Sequence, residues 1–162
     1  AGASTLRTQT AVKLMQEVRF SVIRGNMSEI KVLSGGMGGA RGVDACETDI
    51  VTEETLEEAV AFVKAFAKSC GCIVAVTGAI DLVADDKRCY VIRNGRKEMG
   101  QITGTGCMLG MICATYLAVT DPFTAALSAA REFGTAGERA EKNSSGPGSF
   151  QTELFDQFYN LL

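Results

Sequence analysis

The 162-residue chain contains no histidine and no tryptophan. Without histidine there is no Ser-His-Asp triad, no Cys-His nucleophile pair and no imidazole-ligated metal. Basic residues are not in excess either: 16 Lys and Arg stand against 19 Asp and Glu, a net charge of −3. That balance argues against nucleic acid as the main partner. No run of 18 or more uncharged apolar residues occurs, so no membrane span is expected. Only two prolines accompany the 18 glycines, which therefore mark separate tight backbone positions rather than a low-complexity tract. With 46% apolar and 22% charged residues, the chain has the composition of a globular domain that buries a core. Its length is that of one ordinary domain.

The six cysteines are Cys46, Cys70, Cys72, Cys89, Cys107 and Cys113. The sequence shows no signal peptide and has a normal apolar fraction, which favours reduced thiols and a cytoplasmic setting over a disulfide framework. Cys70-Gly-Cys72 has no second pair at metal-ligand spacing, so a zinc site is not expected.

Along the chain, Thr8 or Thr10 can cap a first helix bearing Val12, Leu14, Met15 and Val18. Phe20–Ile23 reads as a short buried strand that ends at Arg24-Gly-Asn26 and turns into a helix, Met27–Leu33. A glycine-rich loop follows from Ser34 to Asp49. Thr52-Glu-Glu starts a helix with Leu56, Val60, Val63 and Phe66 at helical spacing up to Ser69. Ile73–Thr77 has the uninterrupted apolar character of a strand inside a parallel sheet. Leu82-Val83 and Cys89–Ile92 flank a charged turn, and Asn94-Gly95 signals a further hairpin, giving three short antiparallel strands. Cys107–Ala118 is apolar nearly all round and reads as a buried helix. Asp121-Pro122 opens a long alanine-rich helix. A loop, Ser144–Gly148, leads to a last amphipathic helix, Phe150–Leu162. The expected fold class is α/β, a central mostly parallel sheet flanked by helices with a small antiparallel hairpin insert.

Three segments have the chemistry of a ligand site. Thr103-Gly-Thr-Gly-Cys107 sets two glycines at the start of a helix, where free N–H groups and the positive dipole end suit an anion. A structural turn over a buried cysteine reads equally well there. Cys107 holds the position in which a thiol's pKa falls toward neutrality, as a proton acceptor requires. Arg24-Gly-Asn-Met-Ser-Glu29 follows a strand. Asn26 and Glu29 offer oxygens to a hydrated Mg²⁺ and Arg24 offers a phosphate fork, while the same spacing also makes a plain helix cap. Thr77-Gly78 ends the Ile73–Val76 run, where α/β sheets commonly meet nucleotides or simply turn. All three are expected to converge on one crevice.

Taken with Val22–Glu29, Val74–Asp81, Ile102–Cys107 and Gly146-Pro-Gly-Ser-Phe150, these residues resemble the hydroxyethylthiazole kinase family of the ribokinase-like superfamily. The resemblance extends over the whole chain. It implies a ribokinase-like layered fold and transfer of the ATP γ-phosphate to the hydroxyl of 4-methyl-5-(2-hydroxyethyl)thiazole in thiamine biosynthesis or salvage, with Mg²⁺. It implies Cys107 as catalytic base, Gly104–Gly106 as the anion hole with Gly104 against the thiazole, and Arg24, Thr77 and Gly106 as ATP contacts. Glu29, with Asn26, would serve the metal. A homotrimer in the cytoplasm is the implied assembly. The chain starts where the family's loop before Leu6-Arg7-Thr8 would lie, so residues 1–162 are expected to form the C-terminal portion of a single kinase domain. Two neighbouring readings are a kinase of a hydroxymethylpyrimidine and a nucleotide-binding fragment without activity alone.

Overall fold

The computed structural model describes residues 4–36 and 50–161. It resolves into two compact units, Ala1–Val91 and Ile92–Leu162.

The first unit opens with helix α1 (Thr5–Glu17), capped not by Thr8 or Thr10 but by Ser4, whose hydroxyl accepts from Arg7 N at 3.3 Å. Strand β1 covers Val22–Asn26, later than the expected Phe20–Ile23. Arg24-Gly-Asn26 is therefore the strand's own end rather than a turn after it. Helix α2 (Met27–Gly36) follows at once. It takes in Ser34–Gly36, where a loop was expected, and residues 37–49 of that expected loop lie outside the described residues. Helix α3 (Leu56–Cys70) has Thr55 rather than Thr52 at its N-cap, and the two threonines bond to each other in the turn before it (Thr52 N to Thr55 Oγ1, 3.0 Å). It ends at Gly71, whose left-handed φ of 65° makes the usual glycine stop.

Strands β2 (Ile73–Thr77), β3 (Asp81–Ala84) and β4 (Cys89–Ile92) complete one sheet in the order β1-β2-β3-β4. Only β1 and β2 run parallel; β3 is antiparallel to β2. The expected mostly parallel sheet with a separate hairpin insert is thus a mixed sheet, and β3–β4 extends its edge. The reason is chain length: a parallel crossover needs a dozen or more residues, whereas 78–80 and 85–88 allow only tight reversals. α2 and α3 pack on the sheet and close a core around Ile30, Val63, Val74, Val76 and Leu82, all nearly sealed from solvent.

The second unit departs from expectation at its start. Asn94-Gly95 turns into no further strand but into a 3₁₀ turn, Lys97–Gln101. Gly95 does take the left-handed φ that the dipeptide suggests, 101°. Asn94, however, is held by helix α5 (Pro122–Asn143), donating from Nδ2 to Arg131 O at 2.6 Å and Thr135 Oγ1 at 3.2 Å. Helix α4 (Thr105–Leu117) buries only Leu109 and Cys113, while Met111 is 70% exposed. Its all-round apolar surface is therefore not matched by all-round burial; α5 is the helix packed against it. α5 starts as expected, with Asp121 Oδ1 accepting from Phe123 N and Thr124 N at 3.0 and 3.1 Å. Its alanines and glycines form a smooth buried face that admits α4 and helix α6 (Pro147–Tyr159). α6 begins three residues earlier than the expected Phe150, since Pro147 suits a first helical position. Phe133 and Phe158 meet edge-to-face, with centroids 6.3 Å apart.

Candidate active site

The four residues singled out in the first unit gather at the carboxyl ends of β1 and β2. Because the two strands are parallel and in register, Asn26 lies beside Thr77 and Arg24 beside Ala75. The tight passage from β1 into α2 depends on Gly25: a Cβ there would meet Glu29 Cβ at 3.1 Å, Glu29 Oε2 at 3.2 Å and Ile30 Cδ1 at 3.3 Å. Asn26 and Glu29 form a reciprocal capping box. Glu29 Oε2 accepts from Asn26 N at 2.9 Å, and Asn26 Oδ1 accepts from Glu29 N at 2.8 Å. The capping alternative is thus what these side chains do in this structure. Thr77 Oγ1 reaches Gly25 O at 3.5 Å.

Arg24 is the unusual member. Its Nη1 is buried and finds no hydrogen-bond partner among the described residues. A buried guanidinium nitrogen left in that state calls for an anion. Facing it is Asp81, a residue to which the sequence analysis gave no role. The Asp81 carboxylate accepts from Gly78 N at 2.8 Å and so fixes the turn between β2 and β3. Burial pushes its pKa up from 3.8 to about 6, against the pull of the Gly78 N–H and the Arg24 charge. A carboxylate three residues after a glycine was a legible turn signal. Its electrostatic interaction with Arg24, 57 positions away, was not.

The second unit carries the other three residues on the first turn of α4. Gly104 is the N-cap, with φ 97°, and no side chain caps this end. The first amides of a helix have no intrahelical acceptor, so they remain available to a ligand. A Cβ placed on Gly104 would meet nothing within 4 Å, so the space over the turn is open. Gly106 is partly exposed, and Cys107 is an exposed free thiol. The alternative of a cysteine buried beneath a structural turn does not hold. Among the described cysteines Cys113 is the buried one.

Whether these residues suit a nucleotide and a cation is testable on their own donors. The Arg24 nitrogen and the uncapped α4 amides are donors suited to an anion. No group of three or more Cys, Asp or Glu ligands exists among the described residues, so there is no protein cage for a metal. A single carboxylate at Glu29 with the Asn26 amide matches Mg²⁺, which is held mostly by water and phosphate oxygens. No helix of the described residues is long and apolar enough to cross a membrane.

Comparison with known proteins shows the family. The family model described as hydroxyethylthiazole kinase family matches residues 1–162. The chain is 46% identical over 165 residues to a hydroxyethylthiazole kinase of Clostridium acetobutylicum and 43% identical over 164 residues to one of Thermoanaerobacter pseudethanolicus. Each comparison covers 99% of this chain and 60% of the relative, so the chain spans about 60% of the length of these curated relatives. The solved structure of a hydroxyethylthiazole kinase protein from Pyrococcus horikoshii OT3 superposes with a TM-score of 0.86 at 34% identity, over 99% of this chain and 56% of that one.

Proposed function

The chain belongs to the hydroxyethylthiazole kinase family, and we propose that it supplies the C-terminal portion of a ribokinase-like kinase domain that phosphorylates the hydroxyl of 4-methyl-5-(2-hydroxyethyl)thiazole from ATP. The observation that carries this reading is the amino end of α4: an uncapped helix tip, a left-handed glycine with open space above it, and an exposed thiol on the same turn.

In this reading the α4 amides from Gly104 to Cys107 hold the transferring phosphoryl group and offset its charge, with Gly104 also lying against the thiazole. Arg24 and Thr77, with Gly106, bind the nucleotide. Cys107 Sγ takes the proton from the substrate hydroxyl as the new P–O bond forms and the bond from the γ-phosphorus to the bridging oxygen breaks, releasing ADP. Phosphoryl transfer asks chiefly for positioning and electrostatic stabilisation, which a pre-aligned helix end provides without reorganisation. Glu29, with Asn26 beside it, would hold Mg²⁺, which supplies charge neutralisation for the phosphates. The proposed setting is the cytoplasm and the proposed assembly a homotrimer, with no nucleic acid or membrane partner.

The test is Cys107→Ala in the full-length protein, assayed for turnover on the thiazole alcohol with ATP and Mg²⁺. Turnover should fall by at least about tenfold, since a general base typically contributes about 100-fold or more. Unchanged turnover removes the assigned role. Competition by the hydroxymethylpyrimidine alcohol in the same assay separates the two substrate classes.

A further inference from the structure

Outside the kinase machinery, the first unit brings two thiols into contact. Cys70 is the last residue of α3 and Cys72 directly precedes β2; Gly71 between them sits at φ 65°, ψ 28°. That left-handed turn folds the chain back so that the two side chains fall on one side, with Sγ atoms 3.1 Å apart. Both residues are partly exposed, and both are free thiols. A further, weaker bond runs from Cys70 Sγ to Ala67 O at 3.6 Å.

The pair is electrostatically unequal. The hydrogen bond shared with Cys72 holds the Cys70 pKa down at about 7, against the effect of burial. The same bond and burial push Cys72 well above the ordinary thiol range, a backbone N–H of Ile23 opposing them. The carboxyl end of α3 disfavours a negative charge at Cys70, so the neighbouring thiol is what sustains a thiolate there. A close pair with one thiolate and one protonated partner is the arrangement of a nucleophilic and a resolving cysteine.

We propose that Cys70 and Cys72 form a thiol–disulfide exchange site whose reaction partner is a low-molecular-weight disulfide. The Cys70 thiolate attacks one sulfur of that disulfide, breaking its S–S bond, releasing one thiolate and leaving a mixed disulfide on Cys70. Cys72 then loses its proton to solvent, attacks Cys70 Sγ and expels the second small thiolate, which takes up a proton. Two protein thiols are oxidised to one disulfide, and the small disulfide is reduced to two thiols. A bridge across a single residue gains little from chain entropy. It also constrains the Gly71 turn, so it is a labile, exchanging bond rather than a structural staple.

The experiment treats the full-length protein with glutathione disulfide, blocks remaining thiols with iodoacetamide and digests with trypsin. Cleavage after Lys68 and Lys87 yields Ser69–Lys87, which contains Cys70 and Cys72 and no other cysteine. The expected product is that peptide unalkylated and two hydrogens lighter, reverting to the doubly alkylated form after dithiothreitol. Cys72→Ala should accumulate glutathione on Cys70, because no second thiol resolves the mixed disulfide, whereas the wild type should hold little of it. A doubly alkylated Ser69–Lys87 under conditions that glutathionylate the exposed Cys107 overturns the proposal. So does a Cys72→Ala protein that holds no more glutathione on Cys70 than the wild type does.

Discussion

Asp81 offers a direct measurement of what the first unit gives up to place a carboxylate beside Arg24. Burial raises its pKa from 3.8 to about 6, so the folded protein holds the Asp81 proton more tightly than the unfolded chain does. Between about pH 4 and pH 6 the native state therefore carries more protons, and stability falls as pH rises through that window. Below about pH 4 the group is neutral in both states and costs nothing. Above about pH 6 it is ionised in both, and the native state bears the full penalty. A shift of about two units, at about 1.4 kcal/mol each, amounts to about 3 kcal/mol at neutral pH.

Asp81→Asn removes the titration and keeps the Oδ1 acceptor for Gly78 N. Urea unfolding of the full-length wild type and variant at pH 4, 5, 6 and 7, with equal m-values, isolates this one group from every other titrating residue. The two proteins should match at pH 4. The variant should become more stable by about 2 to 3 kcal/mol by pH 7, with most of the gap opening by pH 6. Parallel curves, or a wild type that gains on the variant as pH rises, would refute the argument. The same variant should bind ATP more tightly at pH 7, since no carboxylate charge then opposes the phosphates at Arg24.

Three further changes probe the backbone. Gly25→Ala pushes a methyl group against Glu29 and Ile30, at 3.1 to 3.3 Å. It should destabilise by about 1 to 3 kcal/mol in the same urea assay while spoiling the Asn26–Glu29 capping box. Gly104→Ala meets no steric neighbour but must hold φ near 97°. Its cost should be about 1 to 2 kcal/mol, and turnover should fall more than stability does, because the α4 amides move. Gly134→Ala drives a Cβ into the Asn94 side chain and displaces it from Arg131 O and Thr135 Oγ1. Thermal unfolding should report a loss of about 1 to 3 kcal/mol, whereas Asn94→Ala combined with Gly134→Ala should lose less than the sum of the two.

Features set by local chemistry were readable from the sequence: the Asp121-Pro122 helix start, the apolar run of β2, and the glycine turn that opens α4. Each depends on a few adjacent residues whose conformational preferences agree. Features that depend on distant partners were not. Asn94-Gly95 has the dipeptide of a hairpin, and Gly95 takes the expected backbone; its neighbour is instead captured by an α5 carbonyl 37 residues on, which no local signal encodes. α4 reads as buried because its side chains are apolar, yet burial is a property of what surrounds a helix, and in this unit α5 supplies one face. The antiparallel turn of β3 was implicit in the three residues between it and β2, but an apolar run such as β2 suggests parallel neighbours on both sides.

The same distinction separates Arg24 from Asp81. A guanidinium after a strand, followed by Asn-x-x-Glu, can be assigned to phosphate on its own spacing. A carboxylate in a β-turn reads as turn chemistry until β1 and β2 align in register and bring it within reach of that charge. Two features then stand together at one strand end: a guanidinium nitrogen without an acceptor and an acid whose ionised form the fold disfavours. Neither stabilises the fold. An anion bound at Arg24 would fill the vacant hydrogen bond, and it would also add negative charge near Asp81 and raise that pKa further. Ligand binding and proton uptake at Asp81 should therefore be coupled, with ATP affinity strengthening as pH falls from 7 toward 6 in the wild type and losing that component in Asp81→Asn. Titrations of the two proteins at both pH values decide it: an equal pH dependence in wild type and variant would uncouple the carboxylate from the phosphate site.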